Sequence, residues 1–299
     1  MAAGAQTTQT LFNQLCNTIL TSPSRVCQSW DNAPQNGPIT TRNPAVTPGC
    51  NNIRRPRDGG DGVDQLIALP ACYDIARVVT DADKLTRPAG FTYIPFATDT
   101  LTYAFLNAPN GVPPNLSDAT LKRIYTCDPA ITFPSNLAGF KPLIGNYLAG
   151  NRTFLFNKLG ITDAPDYTTT HPCVRDKDNQ GNGILANDAR YLSDPKELIT
   201  YSAGPYIAQI LKAVPDIHNN SVLGSINGTP PILDPDSFGA RPVFSVVRTA
   251  DITGPTARPE MVTLLVGPNS QVCQNTAAIR KNGFDLRSNC GDISEHSGP

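Results

Sequence analysis

Eight cysteines, Cys16, Cys27, Cys50, Cys72, Cys127, Cys173, Cys273 and Cys290, constrain this chain more than any other feature. No two form a Cys-x-x-Cys pair, and none lies near a histidine at the spacing of a zinc site. An even number of thiols in a sequence rich in Asn, Thr and Pro fits four disulfides made in an oxidising compartment. About a hundred pairings are formally open. The favoured one is sequential: Cys16 to Cys27, Cys50 to Cys72, Cys127 to Cys173 and Cys273 to Cys290. Each such bridge closes a local loop worth about 2–4 kcal/mol.

At 299 residues the chain exceeds one core of about 100–200 residues, so two lobes are expected. Hydrophobic residues at 39% and charged residues at 16% suit a folded chain, and 28 Pro with 23 Gly predict short elements joined by turns. A formal net charge of -1 supplies no basic field for nucleic acid or an anionic membrane. No apolar run approaches the ~20 residues of a membrane span. Met1-Ala2-Ala3-Gly4 has neither the basic nor the apolar part of a signal peptide. With oxidised cysteines, the expectation is a secreted or cell-surface protein whose signal peptide lies outside this sequence.

Apolar residues at helical spacing predict a helix from Thr8 through Leu11, Phe12 and Leu15 to Ile19 and Leu20. Gly59-Gly60-Asp61-Gly62 reads as a loop, with a second helix starting near Val63. Strands are expected over 73–79, 91–97 and 100–105. Ser117 should cap a helix running to Tyr125, with Leu116 and Leu121 as a hydrophobic staple. Residues 140–147 should enter a turn at Ala149-Gly150-Asn151-Arg152, followed by a helix from Thr153 to Leu159 that ends at Gly160. Ile199–Ser202 reads as a strand before a helix from Pro205 to Lys212, and Val243–Val247 and Val262–Val266 as late strands. Strands and helices alternate, so the class is α/β.

Several segments together resemble a secreted actinobacterial branch of the phosphate-type substrate-binding proteins of ABC transporters. They are Gly4-Ala5-Gln6-Thr7-Thr8-Gln9, Arg55-Pro56 with Gly59-Gly60-Asp61-Gly62, Asp74-Ile75-Ala76-Arg77, Ile94-Pro95-Phe96-Ala97-Thr98-Asp99 and Leu121 to Cys127. Further on come Gly150-Asn151-Arg152-Thr153-Phe154, Tyr201-Ser202-Ala203-Gly204, Val272-Cys273 and Asn289-Cys290-Gly291. Their order and spacing carry the likeness. It implies a two-lobed, periplasmic-binding-protein-like (type II) α/β fold with a central mixed sheet in each lobe and a ligand cleft between them. Lobe 1 would take residues 1–100, lobe 2 residues 101–203, and 204–299 would return to lobe 1 and the C-terminal segment. The ligand set it implies is Gln6, Thr7, Thr8, Asp61, Arg77, Thr98, Asp99, Gly150, Asn151 and Arg152.

The chain departs from the family pattern where a phosphate would be held. Gly4-Ala5-Gln6-Thr7-Thr8 stands for Gly-Ser-Asp-Thr-Thr, Ala149-Gly150-Asn151-Arg152 for Ser-Gly-Thr-Arg, and Val78-Val79 for the usual Ser-Ser after Ala76-Arg77. Each unmade bond to a buried oxyanion costs roughly 1–3 kcal/mol, so tight phosphate binding is not expected. Arg77 and Arg152 read either as a clamp for an anionic ligand or as structural ion pairs. Gln6, Thr7, Thr8 and Asn151 read as ligand contacts or helix caps, and Asp61 as a hydroxyl acceptor or a turn residue.

Asp176-Lys177-Asp178-Asn179-Gln180-Gly181 imitates the opening of a calcium loop, but Asn187 stands at its twelfth position, so a solvated loop is expected. His171, His218 and His296 are far apart, and no Ser or Cys occupies a nucleophile-elbow motif. The resulting expectation is a non-enzymatic, cofactor-free solute-binding protein that takes a small anionic or polar ligand. Its partner would be a transporter permease or a cell-surface protein. The alternative is a cell-surface or assembly protein that keeps the fold and has lost phosphate binding.

Overall fold

The computed structural model describes residues 1–18, 27–31, 37–40, 49–80, 88–129, 139–147, 149–231 and 237–294. Strands β1 (Ala2–Gly4), β2 (Ile75–Val79), β3 (Phe91–Leu106), β4 (Lys141–Leu143), β5 (Glu197–Ser202), β6 (Ser221–Leu223), β7 (Ala240–Arg248) and β8 (Asp285–Leu286) form the sheet. They alternate with helices α1 (Gln9–Thr18), α2 (Gly59–Ala68), α3 (Asp118–Tyr125), α4 (Gly150–Leu159), α5 (Ala203–Ile210), α6 (Pro259–Leu265) and α7 (Thr276–Lys281). The chain divides into two compact units. Unit 1 holds residues 1–98 and 241–299, unit 2 residues 99–240, and the divisions fall within β3 and β7. The sequence reading had the chain return near residue 204. In the structure α5 and β6 stay with unit 2, because β5 and β6 both pair with the second half of β3.

In unit 1 the strand order is β1-β2-β7-β3, with β8 paired antiparallel to β3. β1 runs parallel to β2, and β7 antiparallel to it. Every residue of β2 is buried, as a strand covered on both faces must be. Ile75 and Val79 pack with Leu11, Phe12 and Leu15 of α1, while Ala76 and Val78 pack with Val63 and Leu66 of α2. Arg77 is therefore a cation set into the middle of an apolar strand.

Two glycines permit this arrangement. Gly4 has φ +129°, and a Cβ there would lie 2.5 Å from the Arg77 carbonyl oxygen. Gly62 brings α2 so close to β1 that a Cβ would lie 3.0 Å from the Gly4 Cα. Gly4→Ala should combine a disfavoured backbone with a backbone clash and lower stability by roughly 2–4 kcal/mol. Urea unfolding at constant m-value would measure it, and a midpoint within error of the parent would contradict the close packing described.

In unit 2 β4 lies parallel to β5, β5 antiparallel to β3, and β6 antiparallel to β3. Leu198 faces the α3 and α4 side with Leu121, Ile124, Phe154 and Leu155, and Ile199 and Tyr201 face Leu143, Ile184 and Leu192. Ser117 caps α3 as expected, its Oγ accepting from the Thr120 amide at 3.0 Å. The four disulfides are the sequential pairs.

Several boundaries differ from the sequence reading. The glycine cluster expected as a loop is the first turn of α2, because Asp58 caps it by accepting from the Asp61 amide at 2.9 Å. Gly150-Asn151-Arg152, expected as a turn, is the first turn of α4. Val262–Val266, expected as a strand, belongs mostly to α6, which Pro259 opens and which buries Met261, Leu264 and Leu265. The expected strands 91–97 and 100–105 are one strand of 16 residues, and β4 lies in the stretch 140–147 that was expected to lead into the turn. Helix α5 starts at Ala203, two residues before the expected Pro205. The expected extension of α1 to Ile19 and Leu20 lies outside the described residues.

Candidate functional site

The residues singled out in the sequence fall into two groups, one in each unit. In unit 1, β1 ends at Gly4, and a single helical turn, Gln6–Thr8, leads directly into α1. The Ala5 amide donates to the Arg77 carbonyl at 2.8 Å, which ties this turn to β2. Thr7 and Thr8 are buried and Gln6 is half-buried. The Thr8 hydroxyl donates back to the Ala5 carbonyl at 3.3 Å, so it serves the turn itself.

Arg77 is fully buried. Its guanidinium donates to Ser29 Oγ at 3.0 Å, the Trp30 carbonyl at 2.7 Å and the Gly4 carbonyl at 3.3 Å, and lies 5.9 Å from the centre of the Phe12 ring. Burial pulls it down from its ordinary value to about 9, against the opposing pull of Asp31, so it stays protonated at neutral pH. Asp61 receives both terminal nitrogens of Arg54, at 2.6 and 2.5 Å, and the Arg57 amide at 2.7 Å. Burial works to raise its carboxyl, but the Arg54 fork and the Arg57 amide outweigh it and hold the group below the usual aspartate range. The Asp61 carboxylate thus fastens the 54–57 segment to the start of α2. Thr98 pairs with Asp285 and accepts from Arg287 at 3.5 Å.

In unit 2 the residues converge on the N-terminal ends of α4 and α5. Ala149 and Ser202 precede these helices, and neither side chain caps its helix. The Asn187 carboxamide joins the two ends: its Oδ1 accepts from the Ser202 amide at 2.7 Å and from Asn151 Nδ2 at 3.4 Å. Asp99, fully buried in β3, accepts from the Gly204 amide at 3.2 Å. Behind Asn187, its carbonyl accepts from Gln209 Nε2 at 3.1 Å, and Gln209 Oε1 accepts from the Tyr201 hydroxyl at 2.7 Å.

Arg152 sits in the first turn of α4 with its side chain turned into unit 2. Its Nε lies 3.0 and 3.1 Å from the two Asp163 oxygens and an Nη 2.6 Å from one of them. The other Nη reaches Asp176 at 3.4 Å and the Gly145 carbonyl at 3.2 Å. The rings of Tyr147, Phe156 and Tyr167 lie 5.5–5.8 Å from the guanidinium carbon. The cation is answered by two carboxylates and an aromatic wall within its own unit.

Asp163 and Asn187 carry much of this geometry and were not singled out as site residues by sequence reasoning. Asn187 was noticed only as the wrong residue for a calcium loop. Its backbone at φ 61°, a conformation that favours Asn, is the physical trace of its role. In the calcium-like loop itself, Asp178 accepts from the Gln180 and Asn182 amides and Asp176 turns to Arg152. His171 stacks on Tyr167 at 4.0 Å, and His218 pairs with Asp216.

No family model matches the chain, and no curated protein matches it. Solved structures do. A Clostridium perfringens protein with bound phosphate, provisionally described as a phosphate ABC transporter substrate-binding protein, aligns at a TM-score of 0.59 and 14% identity, covering 96% of this chain and 98% of that one. An ABC-type phosphate transport receptor from Vibrio cholerae aligns at 0.52 and 14%, covering 77% of this chain and 86% of its own. At such identities the likeness speaks for architecture: the chain has the mixed α/β fold of the periplasmic binding proteins.

Proposed function

We propose that this chain is an extracytoplasmic solute-binding protein that captures a small polar solute without transforming it and hands it to the permease of an ABC transporter. The observation that carries the reading is the corner of unit 2 where α4 and α5 present their N-terminal ends side by side. Amides aligned with the positive ends of two helices are a means of fixing the oxygen atoms of a polar ligand. The proposed contacts lie in unit 2, in the Gly150 and Asn151 region at the start of α4.

Three further observations support it. The fold is that of transporter-associated binding proteins. Four disulfides suit an oxidising compartment. Among the described residues, no helix is long and apolar enough to cross a membrane. Secretion and a permease partner are part of the proposal.

A thermal-shift titration of the oxidised protein tests this reading with phosphate, sulfate, sugars and phosphorylated metabolites. A solute at ~100 times its dissociation constant stabilises by about 2.7 kcal/mol, a shift of several degrees. At least one neutral solute is expected to give it. Silence across the panel would favour a second reading, a cell-surface or assembly protein that kept the fold and lost the ligand. That reading draws on the charges of Arg152 and Asp61, which the chain answers from within.

A further inference from the structure

Five Asn-Gly pairs occur in the chain. The dipeptide is chemically fragile, because glycine has no side chain to keep its amide nitrogen from the asparagine carboxamide before it. Once deprotonated, that nitrogen attacks the asparagine Cγ. An amide that already donates a hydrogen bond gives up its proton less readily and is held away from the carbon. Four of the pairs lie among the described residues, and the fold treats them unequally.

Three are restrained at the glycine. The Gly111 amide donates to the Ala108 carbonyl at 3.1 Å. The Gly283 amide donates to the Arg280 carbonyl at 2.9 Å, beside an Asn282 that is 1% exposed. The Gly228 amide donates to Asn115 Oδ1 at 2.9 Å, while Asn227 Oδ1 accepts from the Asp118 amide at 3.0 Å. The fourth pair, Asn182-Gly183, closes the loop that imitates a calcium site. Asn182 is exposed, and the Gly183 amide donates to no group among the described residues. Asn182 Nδ2 donates to Asp178 Oδ2 at 3.1 Å, an exposed bond that the carboxamide trades for water at small net cost.

We propose that Asn182-Gly183 is a site of spontaneous modification, where water converts the carboxamide to an aspartyl or isoaspartyl residue and switches the 176–183 loop irreversibly to a looser state. Base takes the Gly183 amide proton and the nitrogen bonds to Asn182 Cγ. The Cγ–Nδ2 bond breaks, and ammonia leaves with the proton that the base returns. Water then adds to either carbonyl of the cyclic imide, one ring C–N bond breaks, and a carboxylate remains. One water enters, one ammonia leaves, and nothing is oxidised or reduced.

The new carboxylate stands where a donor faced Asp178, and two like charges at that range repel. An isoaspartyl residue also lengthens the backbone inside a ladder closed by two bonds, the Asp178 amide to the Asn182 carbonyl at 2.8 Å and the Ile184 amide to the Asp176 carbonyl at 2.9 Å. The same loop supplies Asp176 to Arg152.

The test incubates the oxidised full chain in mildly alkaline buffer at physiological temperature and follows the amide-to-acid conversion at each Asn-Gly pair by peptide mapping with mass spectrometry. Asn182 is expected to convert roughly five- to tenfold faster than Asn227 and Asn282, the factor by which one hydrogen bond to be broken lowers the reactive population. Asn115→Ala should raise the rate at Asn227 by a similar factor and leave Asn182 unchanged. Asn115→Asp keeps an acceptor for the Gly228 amide and should leave Asn227 slow. In Asn182→Asp, limited trypsin digestion should cut after the exposed Lys177 severalfold faster than in the parent. Conversion of Asn227 or Asn282 as fast as Asn182 overturns the site, and it is read in the parent without any variant. No gain at Asn227 in folded Asn115→Ala overturns the protection by hydrogen bonding, and unchanged cleavage after Lys177 overturns the loosening. None of these outcomes depends on whether the chain binds a solute.

Discussion

Reducing the four disulfides should abolish cooperative thermal unfolding at physiological temperature and leave the chain largely unfolded. The bridges span sequence separations of 11, 22, 46 and 17 residues. Loop-closure entropy assigns each about 3–4 kcal/mol, on the order of 10 kcal/mol together. That is comparable with the whole stability of a folded domain, about 5–15 kcal/mol. Their placement makes the loss specific. Cys16–Cys27 joins α1 to the segment whose Ser29 and Trp30 hold Arg77. Cys127–Cys173 joins the end of α3 to the stretch between Asp163 and Asp176, which holds Arg152. Cys273–Cys290 secures the C-terminal segment whose Gly291 amide donates to Pro95 of β3. Differential scanning calorimetry with and without reductant, with free thiols counted by mass spectrometry, checks this. A fully reduced protein that melts within a few degrees of the oxidised one would show that the core alone suffices.

What the sequence disclosed and what it withheld separate along a physical line. The cysteines were legible because sequential pairing asks only for local closure, and Ser117 because a cap and its helix lie within four residues of each other. The α/β class followed from the alternation of strand and helix patterns. The starts of α2 and α4 were hidden by glycine, which looks like a loop until a neighbour such as Asp58 supplies the cap. Val262–Val266 looked like strand because its valines are β-branched, yet the Pro259 start and the burial of Leu264 decided for helix. The partners of the candidate residues were beyond the sequence altogether. Nothing in the spacing says that Asp163, eleven residues after Arg152, takes the guanidinium, or that Asn187 bridges two helix starts. Arg152 was open to two readings, ligand clamp or structural pair, and in unit 2 it has the surroundings of a structural pair.

Those surroundings give the second large prediction. Asp163→Ala should cost about 3–5 kcal/mol, because it strands a buried guanidinium that keeps only the more distant Asp176 and backbone carbonyls. Arg152→Met should cost less than Asp163→Ala despite removing the same pair. It takes the charge away and leaves an apolar side chain against Phe156 and Tyr167, while Asp163 at 16% side-chain exposure can still reach water. The double variant should lie near Arg152→Met alone, since once the cation is gone the carboxylate has little left to stabilise. Urea titrations of the parent, both single variants and the double variant close the cycle. An Asp163→Ala cost under about 1 kcal/mol would mean the pair behaves like an exposed salt bridge, and Arg152 would then return as a candidate for contact with a ligand.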